Sequence, residues 1–407
     1  MGSAVEENTI NEIMLNQNNI SLYENGDDDI NELVDKYSFD WELLEVIIGG
    51  KSSIDLTKIP IKTFEDADVF IKTYGYDLSK EHIRVEAKNI FDEAKSFIEN
   101  MLIPEPDTKE INLFMPDVIK NEPDPRKLIL IAGNPEDPNQ AWACAMLRMM
   151  HTISHVNNDI SLKFFPEIQR QILDKIWSSV YINSKGEKFF GDDDNSIKIY
   201  DVDIKAKKER NSMIVKLLHK VENVAADVFD QIGVRIITYD KVDALLAIRQ
   251  LKNTGVLNFC NVKPSRSINR LIDTEIFSKL LDDNLEKLKS GELTKEGFED
   301  IIRSKAEKEA SLTSAEMQLI NPHTSREYKS IQFTARQMIR IRYPFNDEKG
   351  ELFSFFFPYE LQIVDIETHL ENRYGKGSYE KYKEKQLMTA RKRVLGRIIK
   401  EQENSNN

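Results

Sequence analysis

The chain has 407 residues, 40% hydrophobic and 31% charged, with a formal net charge of -13. That length exceeds one average domain, and the apolar share suits sizeable buried cores in a soluble protein. The acidic balance excludes a molecule whose whole surface grips nucleic acid, while leaving room for a local basic patch. The two cysteines, Cys144 and Cys260, lie in apolar runs and form neither a disulfide framework nor a metal-ligand spacing, which predicts a reducing, cytoplasmic setting. No apolar run approaches the roughly 20 residues of a membrane span, and the Asn-rich acidic start is unlike a secretory signal.

Residues 1–30 are rich in Asn, Glu and Asp and read as a tail. Residues 31–185 read as a mainly helical N-terminal domain, with helical spacing around Asp66 and from His82 to Met101. A proline-studded linker between Pro104 and Pro125 precedes Leu128-Ile-Leu-Ile-Ala, which reads as a short strand. An apolar helix is expected from Ala141 to His155. Its His151 and His155 share one face, a spacing that zinc can use, but no His-Glu-x-x-His pattern completes it and a satisfied helix–helix contact is the preferred reading.

The pattern changes near residue 186. Strands are expected at Ile197–Ile204, Gly233–Thr238, Val256–Val262, Ile331–Ile341 and Phe353–Val364, and helices at Met213–Val228 and Lys241–Leu251. A charged helical block at 274–318 interrupts them as an insertion. Residues 186–375 therefore read as an α+β domain on a mixed β-sheet flanked by helices. Residues 376–407 form a basic C-terminal helix, carrying Arg391, Lys392, Arg393 and Arg397. It could face RNA, or dock through Leu387, Val394, Leu395 and Ile398, and docking is the preferred reading.

Four segments carry residues suited to chemistry. In Lys205-Ala-Lys-Lys-Glu-Arg-Asn-Ser-Met-Ile-Val-Lys216, Ser212 and Lys216 share a helical face, preceded by Lys205, Lys207, Lys208 and Arg210. Cations beside a helix start could hold a triphosphate, though a solvated charge run has the same spelling. In Asp230-Gln-Ile-Gly-Val-Arg235, a carboxylate at a strand mouth suits magnesium and Arg235 suits phosphate, or Asp230 is a turn residue and Arg235 a surface cation. If a strand runs from Tyr328, then Tyr328, Ser330 and Gln332 line one face, where an aromatic ring can stack a nucleobase or simply pack. In Tyr359-Glu-Leu-Gln-Ile-Val364, Glu360 and Gln362 share a face of an otherwise apolar strand, a costly place for an unpaired carboxylate.

In this order the four segments resemble the synthetase domain of the RelA/SpoT nucleotidyltransferases: Ser and Lys on a helix, Asp-x-x-Gly-x-Arg, Tyr-x-Ser, and Glu-x-Gln. The resemblance covers less than half the chain. Gln332 stands where that family has His, Val364 where it has Arg, and Arg326-Glu327 replaces Asn-Gly. It implies a magnesium-dependent pyrophosphotransferase that moves pyrophosphate from ATP to GTP or GDP. Lys205, Lys207, Lys208, Arg210, Ser212, Lys216 and Arg235 would hold ATP, and Tyr328, Ser330, Gln332 and Gln362 the acceptor. Asp230 and Glu360 would hold Mg2+, with Glu360 activating the attacking hydroxyl. Alternatives are transfer to a tRNA 3′ end, with tRNA held by the basic C-terminal segment, and a silent nucleotide sensor. The chain contains no His-Asp dipeptide, so no companion hydrolase is expected.

Overall fold

The computed structural model describes residues 31, 34, 36–103, 113–159, 163–192, 196–205, 210–218, 231–305, 328–343, 349–374 and 379–405. The expected tail at 1–30, linker residues 104–112, helix residues 219–228, block residues 306–318 and the stretch 321–327 lie outside them. The chain divides into two units, Met1–Leu56 and Thr57–Asn407. In the first, helix α1 (Trp41–Ile47) begins where the Asp40 carboxylate accepts the Leu43 amide at 3.1 Å.

The second unit begins with helices. They are α2 (Phe64–Tyr74), α3 (Glu81–Phe97, continued by a π turn at Ile98–Leu102), α4 (Asp117–Lys120), α5 (Pro125–Gly133) and α6 (Gln140–Asn157). Phe91, Ile98, Leu102, Leu128, Met146, Met149 and Ile153 fill their shared core. The strand expected at Leu128–Ala132 is instead the middle of α5. The Asp124 side chain accepts the Arg126 amide at 3.0 Å and Pro125 opens the helix, a start signal that outweighs the local apolar run. Leu128 and Ala132, one turn apart, then meet the core.

Helix α7 (Phe165–Trp177) introduces the sheet: β1 (Val180–Ile182), β2 (Lys188–Phe190), β3 (Ile197–Lys205), β4 (Gly233–Thr238), β5 (Val262–Asn269), β6 (Ile331–Tyr343) and β7 (Glu351–Asp365). The spatial order is β1-β2-β3-β4-β7-β6-β5, and β4 with β7 is the parallel pair in an otherwise antiparallel ladder. This is an α+β fold built on a seven-stranded mixed sheet flanked by helices. The strand expected at 256–262 starts only at Val262. Before it, the Asn258 side chain accepts the Cys260 amide and folds Phe259–Asn261 into a 3-10 turn.

One face of the central strands is apolar. Val234, Ile236, Leu361, Ile363, Ile331 and Phe333 pack in a second core with Ala244, Ala247 and Leu251 of α9 (Lys241–Asn253). Between β5 and β6 come α10 (Thr274–Ser290) and α11 (Lys295–Lys305). Arg303 of α11 pairs with Asp240 and Asp243 at the start of α9.

After the sheet, α12 (Ile366–Tyr374) and α13 (Tyr379–Ser405) end the fold. Ala390, Val394, Leu395 and Ile398 of α13 sit in the helical core, beside α8 (Arg210–Leu218). Two of the C-terminal arginines bond to backbone carbonyls of the helical half: Arg391 donates to the Leu102 carbonyl at 2.7 Å, at the end of the π turn, and Arg393 to the Leu218 carbonyl of α8 at 2.9 Å. Among the described residues no helix is long and apolar enough to cross a membrane.

Candidate active site

Strand pairing sets the face opposite the apolar core. Residues facing each other across a ladder point the same way, and side chains alternate along each strand. Asp203 of β3 pairs with Arg235 of β4, Arg235 with Gln362 of β7, and Gln362 with Gln332 of β6. These four residues make one polar row across four strands. In the next row, Lys205 faces Gly233, Gly233 faces Glu360, and Glu360 faces Thr334. Gly233 puts no side chain between the Lys205 position and Glu360.

The side chains of the two rows are joined. Arg235 donates through Nε and Nη2 to Gln362 Oε1, at 3.2 and 3.0 Å. The Tyr328 hydroxyl donates to the same oxygen at 3.2 Å and lies 3.3 Å from Arg235 Nη2. Gln362 Nε2 in turn donates to Glu360 Oε2 at 3.0 Å and to Gln332 Oε1 at 3.2 Å. Gln332 Nε2 closes the ring with a 2.6 Å bond to Glu360 Oε1. Arginine only donates and a carboxylate only accepts, so the orientation of both glutamine amides follows from their neighbours.

Burial gives this ring its weight. Glu360 is 8% exposed and Gln362 5%. A carboxylate so placed needs donors on its oxygens, or its desolvation costs several kcal/mol. The two amides supply one donor to each oxygen. Arg235 contributes a fixed cation one amide away and leans on Asp203, with Nη1 and Oδ2 3.6 Å apart. The result is a positive site and a negative site held side by side on one face of the sheet, with a phenol between strands.

Tyr328 differs from expectation in its backbone. Strand β6 starts at Ile331, so Tyr328, Lys329 and Ser330 precede it. Their course is set by Asn372 of α12, whose side chain accepts the Lys329 amide at 3.1 Å and donates to the Lys329 carbonyl at 2.7 Å. Ser330 is buried, and its carbonyl accepts the Arg270 amide at 3.0 Å.

The phosphate-side residues separate into three groups. Lys205 ends β3 in the Glu360 row. Arg210 opens α8 and bonds Glu93 of α3, at 2.5 Å from Nε and 2.9 Å from Nη2, and also Asn157 of α6. It is thus an anchor of α8 on the helical half, and it stands in the helix instead of before it. Ser212 and Lys216 lie one turn apart on α8, half-buried, while Met213, Ile214, Leu217 and Leu218 enter the core. Asp230, Lys207 and Lys208 lie outside the described residues.

No protein-family model and no curated protein matches the chain. Among solved structures it is similar to small alarmone synthetase 2 from Bacillus subtilis, at 12% identity over 51% of this chain and 81% of that one, with a TM-score of 0.21. It is similar also to small alarmone synthetase 1 from Bacillus subtilis, at 13% identity over 51% and 79%, with a TM-score of 0.20. Values this low leave the site to be argued from its own geometry.

Three residues of that geometry escape a reading of the sequence. Asp203 could be found from the alternation Asp201-x-Asp203-x-Lys205, once β3 is known to lie beside β4. His369, in α12, is buried at 8% exposure. Burial, with the Arg235 cation adding to it, holds its pKa below the ordinary value. Asn372 gives no sequence signal, because its partner is a backbone 43 residues away.

The carboxylates can be tested against magnesium. Among the described residues no group of three His, Cys, Asp or Glu side chains is placed to hold a metal ion. Magnesium, however, is commonly held by one or two carboxylates together with substrate phosphates and water. Glu360, one row along the sheet from Arg235, fits that lighter role and does not fit a closed protein cage.

Elsewhere, the two histidines of α6 meet edge to face with centroids 4.5 Å apart, and His151 Nδ1 shares a 2.8 Å hydrogen bond with the Tyr74 hydroxyl of α2. This is the helix–helix contact preferred from the spacing.

Proposed function

We propose that the protein is an ATP-dependent pyrophosphotransferase, with the guanosine nucleotides GTP and GDP as its acceptors and Mg2+ as its cofactor. The observation that supports this best is the buried Glu360 carboxylate, held by two neutral glutamine amides on the face where Arg235 and Tyr328 converge. The ordered resemblance of four sequence segments to RelA/SpoT synthetases adds the choice of reaction.

In this reading the acceptor hydroxyl attacks the β-phosphorus of ATP. The new bond joins the acceptor oxygen to that phosphorus, the bond to the α–β bridging oxygen breaks, and AMP leaves with the electron pair. Glu360 takes the hydroxyl proton; Gln332 and Gln362 hold its two oxygens in place. Arg235 meets the phosphate charge that grows during transfer, and Gln362 fixes its guanidinium through two hydrogen bonds. Tyr328 lies where a base can stack, with its hydroxyl tied to Arg235 and Gln362. Bound magnesium would supply charge neutralisation on the β- and γ-phosphates, held by Glu360 and, in the sequence reading, Asp230. Lys205, in the Glu360 row, and Lys207, Lys208, Ser212 and Lys216 are assigned to the ATP phosphates. Arg210 would have to exchange Glu93 for phosphate to join them.

The test is transfer of label from γ-labelled ATP, with AMP measured alongside and GTP, GDP or bulk tRNA offered separately. The expected result is one AMP per labelled guanosine product, and a Glu360→Gln protein slower by about 10^2- to 10^4-fold with its melting temperature kept. Labelled tRNA instead of labelled nucleotide would move the assignment to a tRNA 3′ end. Nucleotide binding with no AMP from any acceptor would make the protein a sensor and end the enzyme reading.

A further inference from the structure

Strands β6 and β7 outrun the rest of the sheet. Strand β5 pairs with β6 only up to Ala335, and β4 pairs with β7 only from Glu360. Beyond those points residues 336–343 and 351–358 continue as a two-stranded ribbon, paired from Arg336 with Pro358 to Tyr343 with Glu351. Its two faces differ sharply. One packs Ile339, Ile341 and Phe357 into the core at 0%, 1% and 4% exposure. Helix α7 backs it there: Gln171 donates to the Arg340 carbonyl at 2.7 Å and accepts the Arg340 amide at 3.2 Å, while Gln337 donates to the Gln171 carbonyl at 3.0 Å.

The other face is open. On β6 it presents Arg336, Met338, Arg340 and Arg342, all exposed; on β7 it presents Leu352, Ser354 and Phe356, also exposed. No position on it is acidic, in a chain whose net charge is -13. Arg336 sits over the Phe356 ring, 5.8 Å from its centroid. Arg340 lies across from Ser354, and Arg342 from Leu352, with Arg342 also donating to the Gly350 carbonyl at 2.7 Å. By strand parity this face continues the one that carries Gln332, Glu360 and Gln362.

We propose that this face of the ribbon binds single-stranded nucleic acid. Successive same-face positions on a strand are about 6.8 Å apart. Arg340 and Arg342 stand one such step apart and Arg336 two steps, about 13.6 Å, from Arg340 with Met338 between them, so the strand offers a rigid row of three cations to phosphates along an unpaired strand. Phe356 and the apolar surfaces of Met338 and Leu352 lie beside that row, and an aromatic platform flanked by cations is the combination that holds unpaired bases without regard to sequence. A duplex would use the arginines alone and leave the aromatic surface idle. An acidic peptide would also use the charge without the stacking. The ribbon is backed by a buried core, so the row needs no folding on binding. The inference does not depend on pyrophosphate transfer, and its test contains no ATP.

The test is fluorescence anisotropy of a labelled 12-nucleotide unstructured RNA with the full chain, at 50 to 200 mM salt. Saturable binding is expected, with a log–log salt slope of about -2 from three phosphate contacts at about -0.7 each. The double variant Arg336→Glu/Arg340→Glu should weaken binding at least about tenfold, and Phe356→Ala about tenfold through lost stacking. A matched pair on the exposed side of α10, Lys279→Glu/Lys287→Glu, makes the same change in net charge and should leave affinity within about twofold. Circular dichroism and melting temperature establish that each variant folds, and Phe356→Ala tests the face without altering charge. The proposal is overturned if the RNA does not saturate, or if the ribbon and α10 pairs behave alike. It is also overturned if a polyglutamate peptide or a hairpin duplex binds at least as tightly as the single strand, which would reassign the face to an acidic protein or to duplex.

Discussion

The sheet half and the helical half of the second unit both carry polar clusters, and they differ in where the bonds go. On the sheet, Asp203, Arg235, Gln362, Gln332 and Glu360 bond to one another along a face. None of the hydrogen bonds joining them ends on a backbone carbonyl. In the helical half, Arg391 and Arg393 end on the carbonyls of Leu102 and Leu218, Arg210 ends on Glu93 and Asn157, and His151 meets Tyr74. The second pattern ties helices to one another, which is architecture. The first holds charged groups in fixed positions at a surface, the arrangement that transition-state stabilisation requires.

The comparison breaks most sharply at Gln362, the residue that couples the cation to the carboxylate. Gln362→Leu keeps the shape roughly and removes three acceptor contacts and two donor contacts at once. In the transfer assay it should cost about 10- to 100-fold in kcat, the usual effect of losing a group that orients the reacting ones. A loss confined to melting temperature, with kcat kept, would turn the ring into scaffolding and erase the contrast between the halves. The opposite result is expected for Arg393→Met. It removes a charge-assisted bond to the Leu218 carbonyl of α8 and should lower stability by about 2 kcal/mol, read by denaturant unfolding.

The helical half also offers a pH signature. Burial, with His155 beside it, lowers the pKa of His151 from 6.5 to about 4. The folded state therefore resists a proton that the unfolded chain accepts. Stability is full above the unfolded pKa and falls as pH drops from 6.5 towards 4. Between pH 7 and pH 5 the loss from this group is about 2 kcal/mol, and His151→Gln should flatten that part of the profile. An unchanged slope in the variant would place the acid sensitivity elsewhere.

How much of this was legible beforehand depended on the range of the interaction. Alternation put Arg235 opposite Val234 and Ile236, and Glu360 with Gln362, on the faces they occupy, because a strand's parity is a local property. The five apolar residues Leu128–Ala132 of α5 fit either period, and the Asp124-Pro125 start signal before them is what marks the helix. The ring itself could not be read, since the neighbours of β7 are β4 and β6, and only that order brings Arg235 to Gln362 and Gln332 to Glu360. A basic C-terminal helix reads the same in sequence whether its arginines meet RNA or carbonyls, and only the fold shows Arg391 and Arg393 bonded to the Leu102 and Leu218 carbonyls. The alternation of β6 puts Arg336, Arg340 and Arg342 on one face, but only its pairing with β7 places Phe356 beside them.

The smallest expected effect sharpens the comparison furthest, because it separates positioning from chemistry on the sheet face itself. Asn372 touches none of the reacting groups proposed here. It holds the Lys329 peptide from both sides, by accepting its amide and donating to its carbonyl, and so fixes where Tyr328 enters the ring. Asn372→Ala removes two side chain–backbone hydrogen bonds, a loss of about 1 kcal/mol in stability. If Tyr328 stacks the acceptor base, the acceptor KM should rise about fivefold while kcat with saturating acceptor and the KM for ATP stay within about twofold, the pattern of lost ground-state binding. Tyr328→Phe, which keeps the ring and deletes the hydroxyl, should leave the acceptor KM nearly unchanged and lower kcat modestly through Arg235 and Gln362. If both variants instead shift the KM for ATP, Tyr328 belongs to the donor side. The site would then run from ATP at Tyr328 to the acceptor beside Glu360, the reverse of the order proposed.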